Sequence, residues 1–282
     1  MPKRVSKLSY LQCSKHLLCG ALVVALMVNA APAIADEDDD DDDFNRFGIS
    51  IGVFLTDRES KSRLNGSLGE TGTIIDLEGD LGLDSSDTVF RFDGYYRFNE
   101  KHRIDLSAFD LSRSKTRVID EEFEWGDTIY PIDATVKGEF GLAIYKLAYT
   151  WSFMRRDKGY LGLTAGLYIA SFKTSLRVVD LGAIESDTVT APLPVFGLRG
   201  EYALSDKFTF RGSAEIFAIE YEEYNGSLYD LYAGVDYQLF EHTAIGLGIN
   251  SVQLDIGITR ESFKGTFDWR YDGGLLFLKF DF

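Results

Sequence analysis

Apolar and polar residues alternate with a period of two along most of the chain after Asn45. Leu161, Leu163 and Ala165, for example, alternate with Gly162 and Thr164. A period of two places alternate side chains on opposite faces of a β-strand. The runs extend over roughly nine to eleven residues, the length that a tilted strand needs to cross a lipid bilayer. The pattern therefore predicts an all-β chain that forms a transmembrane antiparallel up-and-down β-barrel.

The alternation predicts about ten strands, with eight or twelve as the alternatives. Short polar connections alternate with longer ones, as periplasmic turns alternate with outer loops in barrels of this class. Aromatic residues concentrate beside the short turns, which is typical of an interfacial girdle. An even strand number then places both termini on the periplasmic side. The predicted strands are 46–57, 87–98, 102–113, 134–153, 159–173, 190–203, 207–221, 228–240, 242–258 and 267–282.

Two predicted strands change parity midway. In the fourth strand the apolar positions are even-numbered up to Ile144 and odd-numbered from Leu147 onward. In the ninth strand the change is the reverse, from odd-numbered positions up to Ile249 to even-numbered positions from Leu254 onward. A period-two surface changes faces only where an extra residue is inserted, so the pattern predicts β-bulges near Tyr145 and Ser251.

The last predicted strand carries an apolar face up to the end of the chain. A terminal aromatic residue on such a face resembles the C-terminal assembly signal of bacterial outer-membrane proteins. This resemblance implies recognition by the barrel assembly machinery. The alternative is an ordinary amphipathic edge strand that ends in phenylalanine. The residues of the predicted assembly signal are Leu276, Leu278, Phe280 and Phe282.

The N-terminus has the three parts of a secretory signal peptide. Basic residues up to Lys15 precede an uncharged apolar stretch, and Ala33 and Ala35 form a small-x-small cleavage site. A membrane anchor is disfavoured because the apolar stretch is short and its C-terminal flank is acidic. We therefore expect export to the bacterial outer membrane, with cleavage after Ala35.

Three regions follow from these signals: a signal peptide over 1–35, an acidic disordered leader over 36–45 and a barrel over 46–282. The leader contains eight consecutive acidic residues, which repel one another and bury nothing. Cleavage removes four of 29 Lys and Arg and none of 45 Asp and Glu, so the mature net charge is 25 − 45 = −20. Such acidity argues against nucleic-acid partners.

Cysteine chemistry is excluded from the mature chain. Both cysteines, Cys13 and Cys19, precede the predicted cleavage site. No disulfide, thiol nucleophile or cysteine metal site remains. No cofactor is predicted.

The strand face opposite the apolar one carries charges of both signs, and in a barrel this face points inward. An unpaired charge in a confined interior is costly, so we predict an ion-pair lattice that narrows or plugs the lumen. The alternative is a charge-lined pathway for a small solute. Arg211 is expected to pair with Glu201 or Glu215 across a hairpin. The predicted lattice comprises Arg91, Asp93, Arg97, Arg199, Glu201, Arg211, Glu215 and Asp236.

Histidine positions argue against an enzyme. Outer-membrane hydrolases work through a histidine near the outer rim or the lipid face, whereas His102 and His242 both follow predicted periplasmic turns. A catalytic Ser-His or Asp-His pair needs direct contact. The acidic groups in 76–87 and 120–124 match no EF-hand loop. We interpret them as surface carboxylates that divalent cations bridge to lipopolysaccharide.

The segment 72–83, GTIIDLEGDLGL, together with Tyr95–Phe98 and His102, resembles a pattern in uncharacterised proteobacterial outer-membrane barrel proteins. The resemblance implies an outer-membrane barrel and no particular activity. Leu77 and Leu81 are too apolar for a solvated loop. We therefore predict that 72–84 folds against the barrel mouth or into the lumen.

These observations together predict a non-enzymatic integral outer-membrane β-barrel protein with a charge-filled narrow lumen, acidic surface loops and a structural or surface role. A narrow channel for small solutes or ions is the first alternative. A lipid- or peptide-modifying outer-membrane enzyme is the second, disfavoured alternative.

Overall fold

The computed structural model describes residues 45–65, 72–125, 128–179, 184–221, 224–260 and 263–282. The predicted signal peptide and, apart from Asn45, the acidic leader lie outside these residues. All regular elements in the described ranges are β-strands. No helix long and apolar enough to cross a membrane occurs in this part of the chain.

Ten long strands build the barrel, and three short ones lie at its long-loop end. The short strands are β2 (Ile75–Asp76), β5 (Phe123–Trp125) and β6 (Thr128–Tyr130). The barrel strands are β1 (Phe47–Leu64), β3 (Ser86–Arg97), β4 (His102–Val118), β7 (Thr135–Arg156), β8 (Gly159–Val178), β9 (Ile184–Ala203), β10 (Phe208–Tyr221), β11 (Tyr224–Phe240), β12 (Thr243–Arg260) and β13 (Phe263–Asp281).

The sheet closes on itself because β13 pairs with β1. Every barrel strand is antiparallel to its neighbours, in the order β1, β3, β4, β7 and then β8 through β13. At the seam, the Phe47 and Phe282 backbones exchange hydrogen bonds of 2.9 and 2.8 Å. Closure removes the free strand edges that an open sheet presents. The predicted fold class and strand number are confirmed.

Apolar side chains cover the outside of the barrel over its short-turn half. Aromatic residues near the short turns, including Tyr96, Phe98, Trp151 and Tyr202, also face outward. This exterior is the reverse of a soluble core and matches the surface that barrels of this class present to lipid. We call it the lipid-facing belt; it comprises Ile51, Leu55, Phe90, Leu147, Leu163, Leu167, Ile169, Phe196, Leu198, Ile216, Leu231, Leu247, Ile249, Leu276 and Leu278.

The predicted bulges near Tyr145 and Ser251 are wrong. The β4–β7 and β12–β13 ladders continue through both positions without a register shift. Shifts occur instead at Ser152/Met154 and Gln238/Phe240, next to short turns. Even-numbered residues of β7 therefore point inward from Val136 to Ser152.

The parity of the apolar residues changes because the surroundings of the barrel change, while each strand keeps its orientation. Toward the long-loop end, outward positions such as the half-buried Lys137 and the exposed Lys173 are polar. The inward positions there are apolar and form one cluster. We call this cluster the outer core; it comprises Phe140, Leu142, Ile144, Phe172, Leu176, Leu193, Val195, Val252, Leu254, Trp269 and Tyr271.

The strands accordingly extend further than the alternation predicts. β1 ends at Leu64 instead of residue 57, and β8 ends at Val178 instead of residue 173. The extra residues lie at the long-loop end, where the sequence no longer shows an apolar outward face. The barrel wall therefore continues beyond the lipid-facing belt.

Segment 72–84 completes the wall and the outer core. β3 begins only at Ser86, so a gap separates the outer parts of β1 and β4. β2 pairs with β1 at this gap, and the Arg117 guanidinium donates to the Gly79 carbonyl at 2.6 Å. Ile75, Leu77, Leu81 and Leu83 are buried, which confirms the prediction that this segment packs against the barrel mouth.

The β5–β6 hairpin covers the outer core from the long-loop side. Trp125 and Tyr130 are buried, and the Tyr130 ring stacks on Phe123 with centroids 4.9 Å apart. The Tyr130 hydroxyl donates to the Leu176 carbonyl at 3.3 Å. The hairpin also contacts the first segment, since the Thr73 amide donates to the Glu124 carbonyl at 2.9 Å.

Backbone pairing between β9 and β10 stops short of the long-loop end of the wall. Their ladder ends at Phe196 and Ile216, although both strands continue. Pro194 and Pro192 follow on the outer part of β9, and proline has no amide hydrogen for a ladder. The side chain of Val195 remains fully buried behind this seam.

We predict that Leu142→Ala destabilises the protein by about 2–5 kcal/mol, because Leu142 is buried in the outer core and its truncation leaves a cavity. Leu147→Ala is the matched control on the same strand, since its side chain is 50% exposed and lipid refills the space. Urea unfolding in vesicles measures both. Equal losses would contradict the unbroken inward face of β7.

Candidate functional site in the barrel interior

The inside of the short-turn half of the barrel is strongly charged. Its cationic and acidic side chains are equal in number among the described residues. We call this set the ion-pair lattice; it comprises Arg91, Arg97, Arg103, Lys146, Arg199, Arg211 and Lys279 together with Asp93, Asp105, Glu201, Glu215, Asp230, Asp236 and Asp281.

Glu201 joins three strands near the short-turn end. Its carboxylate accepts from Arg97 of β3 at 3.0 Å and from Arg103 of β4 at 2.7 Å. Arg103 also pairs with Asp105 at 2.6 Å. Because β9 is not adjacent to β3 or β4 in the sheet, these bonds cross the lumen.

Glu215 is the most deeply buried carboxylate of the lattice, with no exposed surface. Lys146 of β7 forms an ion pair with it from across the barrel, and Arg199 approaches it at 3.8 Å. Arg199 also lies 3.6 Å from Asp105, so the two carboxylates share this guanidinium. The Tyr168 hydroxyl oxygen lies 3.2 Å from a Glu215 carboxylate oxygen.

Asn250 connects a second acidic centre to Arg91. Its amide nitrogen donates to Asp230 at 2.6 Å, and its amide oxygen accepts from Arg91 at 2.8 Å. Arg91 also donates to Asp93 at 3.0 Å. The Tyr168 hydroxyl bonds Asp230 as well, so one tyrosine joins the two carboxylate centres.

Arg211 does not form the predicted pair with Glu201 or Glu215. Its guanidinium donates instead to Asp236 of the next strand at 2.8 Å. Glu201 is already held by two other arginines, although Arg211 is its direct partner in the β9–β10 register. Glu215 is instead approached by Arg199.

The terminal strand supplies the remaining members of the lattice. Lys279 lies 3.7 Å from Asp236 and 2.7 Å from Asp281. The Tyr95 hydroxyl donates to Asp281 at 2.9 Å. The Arg103 guanidinium lies 4.0 Å from the centre of the Tyr95 ring, a cation–π distance that links this branch to Glu201.

A cavity of about 70 Å³ lies among the lattice residues. Arg91, Lys146 and Asp230 are among the side chains that line it. A polar cavity of this size accommodates a few water molecules but no sizeable solute. Among the described residues, ion pairs therefore cross the interior beside this small polar cavity.

All eight predicted lattice residues lie in the lumen. The structure adds several that the prediction omitted, among them Arg103, Asp230, Lys279 and Asp281. The alternation of the sequence could have identified these residues. Each of them lies an even number of positions along its strand from a predicted lattice residue or from a residue that the structure buries. Parity also places Tyr95 and Asn250 on the inward face, but it does not show that they form contacts across the barrel.

The two histidines of the described residues, His102 and His242, lie at the short-turn end. His102 contacts the Tyr149 hydroxyl, and the His242 ring nitrogen lies 3.0 Å from the Asp281 carbonyl. The described part of the chain holds no cluster of three or more His, Cys, Asp or Glu side chains that would bind a metal ion.

The acidic residues of segment 72–84 serve local contacts. Glu78 pairs with Arg113 at 2.5 Å and accepts from the Ser60 amide at 2.8 Å. Asp76 accepts from the Gly79 amide at 2.8 Å. The interpretation of this group as free surface carboxylates therefore does not hold for Glu78 and Asp76.

No known protein family and no curated protein matches the chain. Among solved structures, the outer-membrane protease OmpT of Escherichia coli superimposes with a TM-score of 0.56 at 11% identity, covering 88% of this chain and 99% of that one. At this identity the likeness shows the fold alone.

Two other outer-membrane proteins match less well. Ail of Yersinia pestis, solved with a heparin analogue, has a TM-score of 0.36 at 12% identity over 83% of this chain and 99% of its own. OprG of Pseudomonas aeruginosa has a TM-score of 0.35 at 15% identity, covering 85% and 96%. At these TM-scores neither match adds to the likeness in fold with OmpT.

Replacing Glu201 by Gln is expected to cost roughly 3–5 kcal/mol of stability, because Arg97 and Arg103 lose the charge that compensates them in a buried setting. Asp272→Asn is the control, since its ion pair with Arg270 is exposed and exposed pairs contribute about 1 kcal/mol or less. Denaturant titration in vesicles compares them. Similar small losses for both variants would show that the interior is wet enough to screen charge.

Proposed function

We propose that the protein is a non-enzymatic integral outer-membrane barrel whose lumen is filled, with a structural or surface role. The observation that carries this proposal is the set of ion pairs that cross the lumen between non-adjacent strands, such as Arg97–Glu201 and Lys146–Glu215. The outer core, covered by 72–84 and the β5–β6 hairpin, fills the remaining length. The lumen is therefore filled in two ways along its length, by the ion-pair lattice in the short-turn half and by the outer core in the long-loop half.

The lipid-facing belt supports location in the outer membrane, and the predicted signal peptide over 1–35 supplies export. Lipopolysaccharide is the proposed lipid partner, with divalent cations as bridges to surface carboxylates. No nucleic-acid partner is proposed, given the mature charge of −20. The barrel assembly machinery is the proposed partner during biogenesis.

A narrow channel remains the second candidate because of the polar cavity beside Arg91 and Lys146. Conduction through it requires the cross-lumen pairs to part. An enzyme has less support: OmpT is a protease by its name, but the likeness extends only to the fold. The two histidines that follow the predicted cleavage site, His102 and His242, lie at the short-turn end, away from the outer rim.

The terminal strand fits the proposed assembly signal. The residues Leu276, Leu278 and Phe282 point outward, and Phe282 stacks on Phe47 at the closing seam with ring centroids 4.8 Å apart. The strand that would be recognised is therefore also the strand that closes the barrel.

Single-channel recording tests the filled lumen. The wild-type protein should give no current steps in planar bilayers. Lys146→Ala combined with Glu215→Ala removes one cation and one anion, so the net charge of the lumen is unchanged. This variant should remain closed, because the outer core is intact. Steps are expected only when 72–84 is also replaced by a flexible linker. Regular steps from the wild type would overturn the proposal in favour of the channel.

Phe282→Ser should lower the amount of heat-modifiable, membrane-inserted protein while leaving secretion intact, because the last residue of the closing strand loses its aromatic ring. Leu204→Ser, an exposed apolar residue in a short turn, is the control. Gel mobility of boiled and unboiled membranes measures insertion. Undiminished insertion of the Phe282 variant would refute the assembly signal.

A further inference from the structure

A cationic face lies on the outside of β7 and β8, beyond the lipid-facing belt. Lys137 and Arg177 are direct partners in the β7–β8 register, and Lys173 lies opposite Gly141. Lys173 and Arg177 are exposed, and the Lys137 side chain is 43% exposed. We call these three residues the β7–β8 cationic face.

One carboxylate accompanies the three cations. Lys137 donates to Glu139 at 2.6 Å. This hydrogen bond, followed by slight desolvation in the opposite sense and by attraction to Lys137, Lys173 and Arg177, lowers the pKa of Glu139. Glu139 therefore stays ionised at neutral pH, and the face carries a net charge of +2. Neither Lys173 nor Arg177 has an ion-pair partner among the described residues.

The distance of this face from the end of the lipid-facing belt suits the phosphate groups of a lipid with a large head group. Ile169 ends the belt on β8, and Lys173 and Arg177 follow four and eight residues later. At about 3.3 Å per residue and a tilt of about 45°, they lie roughly 9 and 19 Å above it. The head-group layer of a phospholipid adds only about 5–7 Å on each side. The upper cations therefore exceed the reach of phospholipid phosphates.

Hydroxyl groups surround the cations on the neighbouring outward positions. The Ser171 and Thr190 hydroxyls lie 3.2 Å apart, directly below Lys173. Side chains of this type exchange hydrogen bonds with sugar hydroxyls. The outward hydroxyl residues of β4, β8 and β9 around the face are Ser112, Ser114, Thr116, Ser171, Thr188 and Thr190.

We propose that the β7–β8 cationic face binds the phosphate groups of a phosphorylated glycolipid in the outer leaflet, by direct contact with Lys137, Lys173 and Arg177. This inference rests on the proposed outer-membrane location. It differs from the divalent-cation bridges proposed for the acidic loops, because the contact needs no metal ion. The lipid-facing belt would hold the acyl chains of one glycolipid, and the β7–β8 cationic face would hold its phosphates.

The test measures lipid binding in the presence of EDTA, which removes divalent cations. The protein is refolded in phosphatidylcholine vesicles that contain lipopolysaccharide, enzymatically dephosphorylated lipopolysaccharide or phosphatidylglycerol. Near-surface cations contribute about fivefold each in affinity. Lys137→Gln, Lys173→Gln and Arg177→Gln combined should therefore weaken binding of intact lipopolysaccharide by about a hundredfold. The wild type should bind the other two lipids weakly.

The matched control removes three cations at the opposite rim, Arg155→Gln, Arg156→Gln and Lys158→Gln, and should bind as the wild type does. Heat-modifiable mobility shows that each variant is folded. Unchanged binding by the face variant would overturn the proposal, as would loss of wild-type binding in EDTA or equal binding of phosphatidylglycerol. A protein that conducts ions yet binds through this face would contradict only the proposed function.

Discussion

A closed barrel has to fill its own interior, and the charges inside it have to compensate one another. Fourteen charged side chains of the described residues project into one narrow lumen, and most of them are largely withdrawn from water. Lys146 and Glu215 illustrate the constraint, because both are almost fully buried and belong to strands on different sides of the barrel. Through such ion pairs, strands that are not neighbours in the sheet fix one another's positions around the barrel.

The same constraint explains why the interior changes character along the axis. Where lipid surrounds the barrel, the outward positions are apolar and the polar residues are left to the inside. Where the wall extends beyond the belt, outward positions such as Lys137 and Lys173 are polar, and the inside becomes apolar. Phe140 and Trp269 then pack as they would in a soluble protein, beneath a cover formed by 72–84 and the β5–β6 hairpin. A single continuous sheet thus has two kinds of interior.

The sequence predicted the strands well wherever lipid enforces the alternation. The ten strands, their order and the inward position of Arg91, Glu201 and Asp236 follow from period and parity alone. The bulges predicted near Tyr145 and Ser251 are wrong for one reason. The change of apolar parity at both positions reflects a change in the surroundings of the barrel and not an inserted residue.

The sequence does not show which residues form ion pairs and hydrogen bonds with one another within the lumen. Parity states that Arg211 points inward but not that it bonds Asp236 in preference to Glu201. That choice depends on Arg97 and Arg103, which reach Glu201 from across the barrel. Similarly, Asn250 matters because it lies between Arg91 and Asp230, a juxtaposition set by closure of the sheet.

The central claim is that the lattice behaves as one connected network. A double-mutant cycle between Glu201→Gln and Glu215→Gln tests it most directly, because Arg103, Asp105 and Arg199 connect the two carboxylates without direct contact between them. Unfolding free energies in vesicles should show a coupling of about 1 kcal/mol or more. Losses that add within about 0.5 kcal/mol would show that the pairs act independently, and would contradict the account.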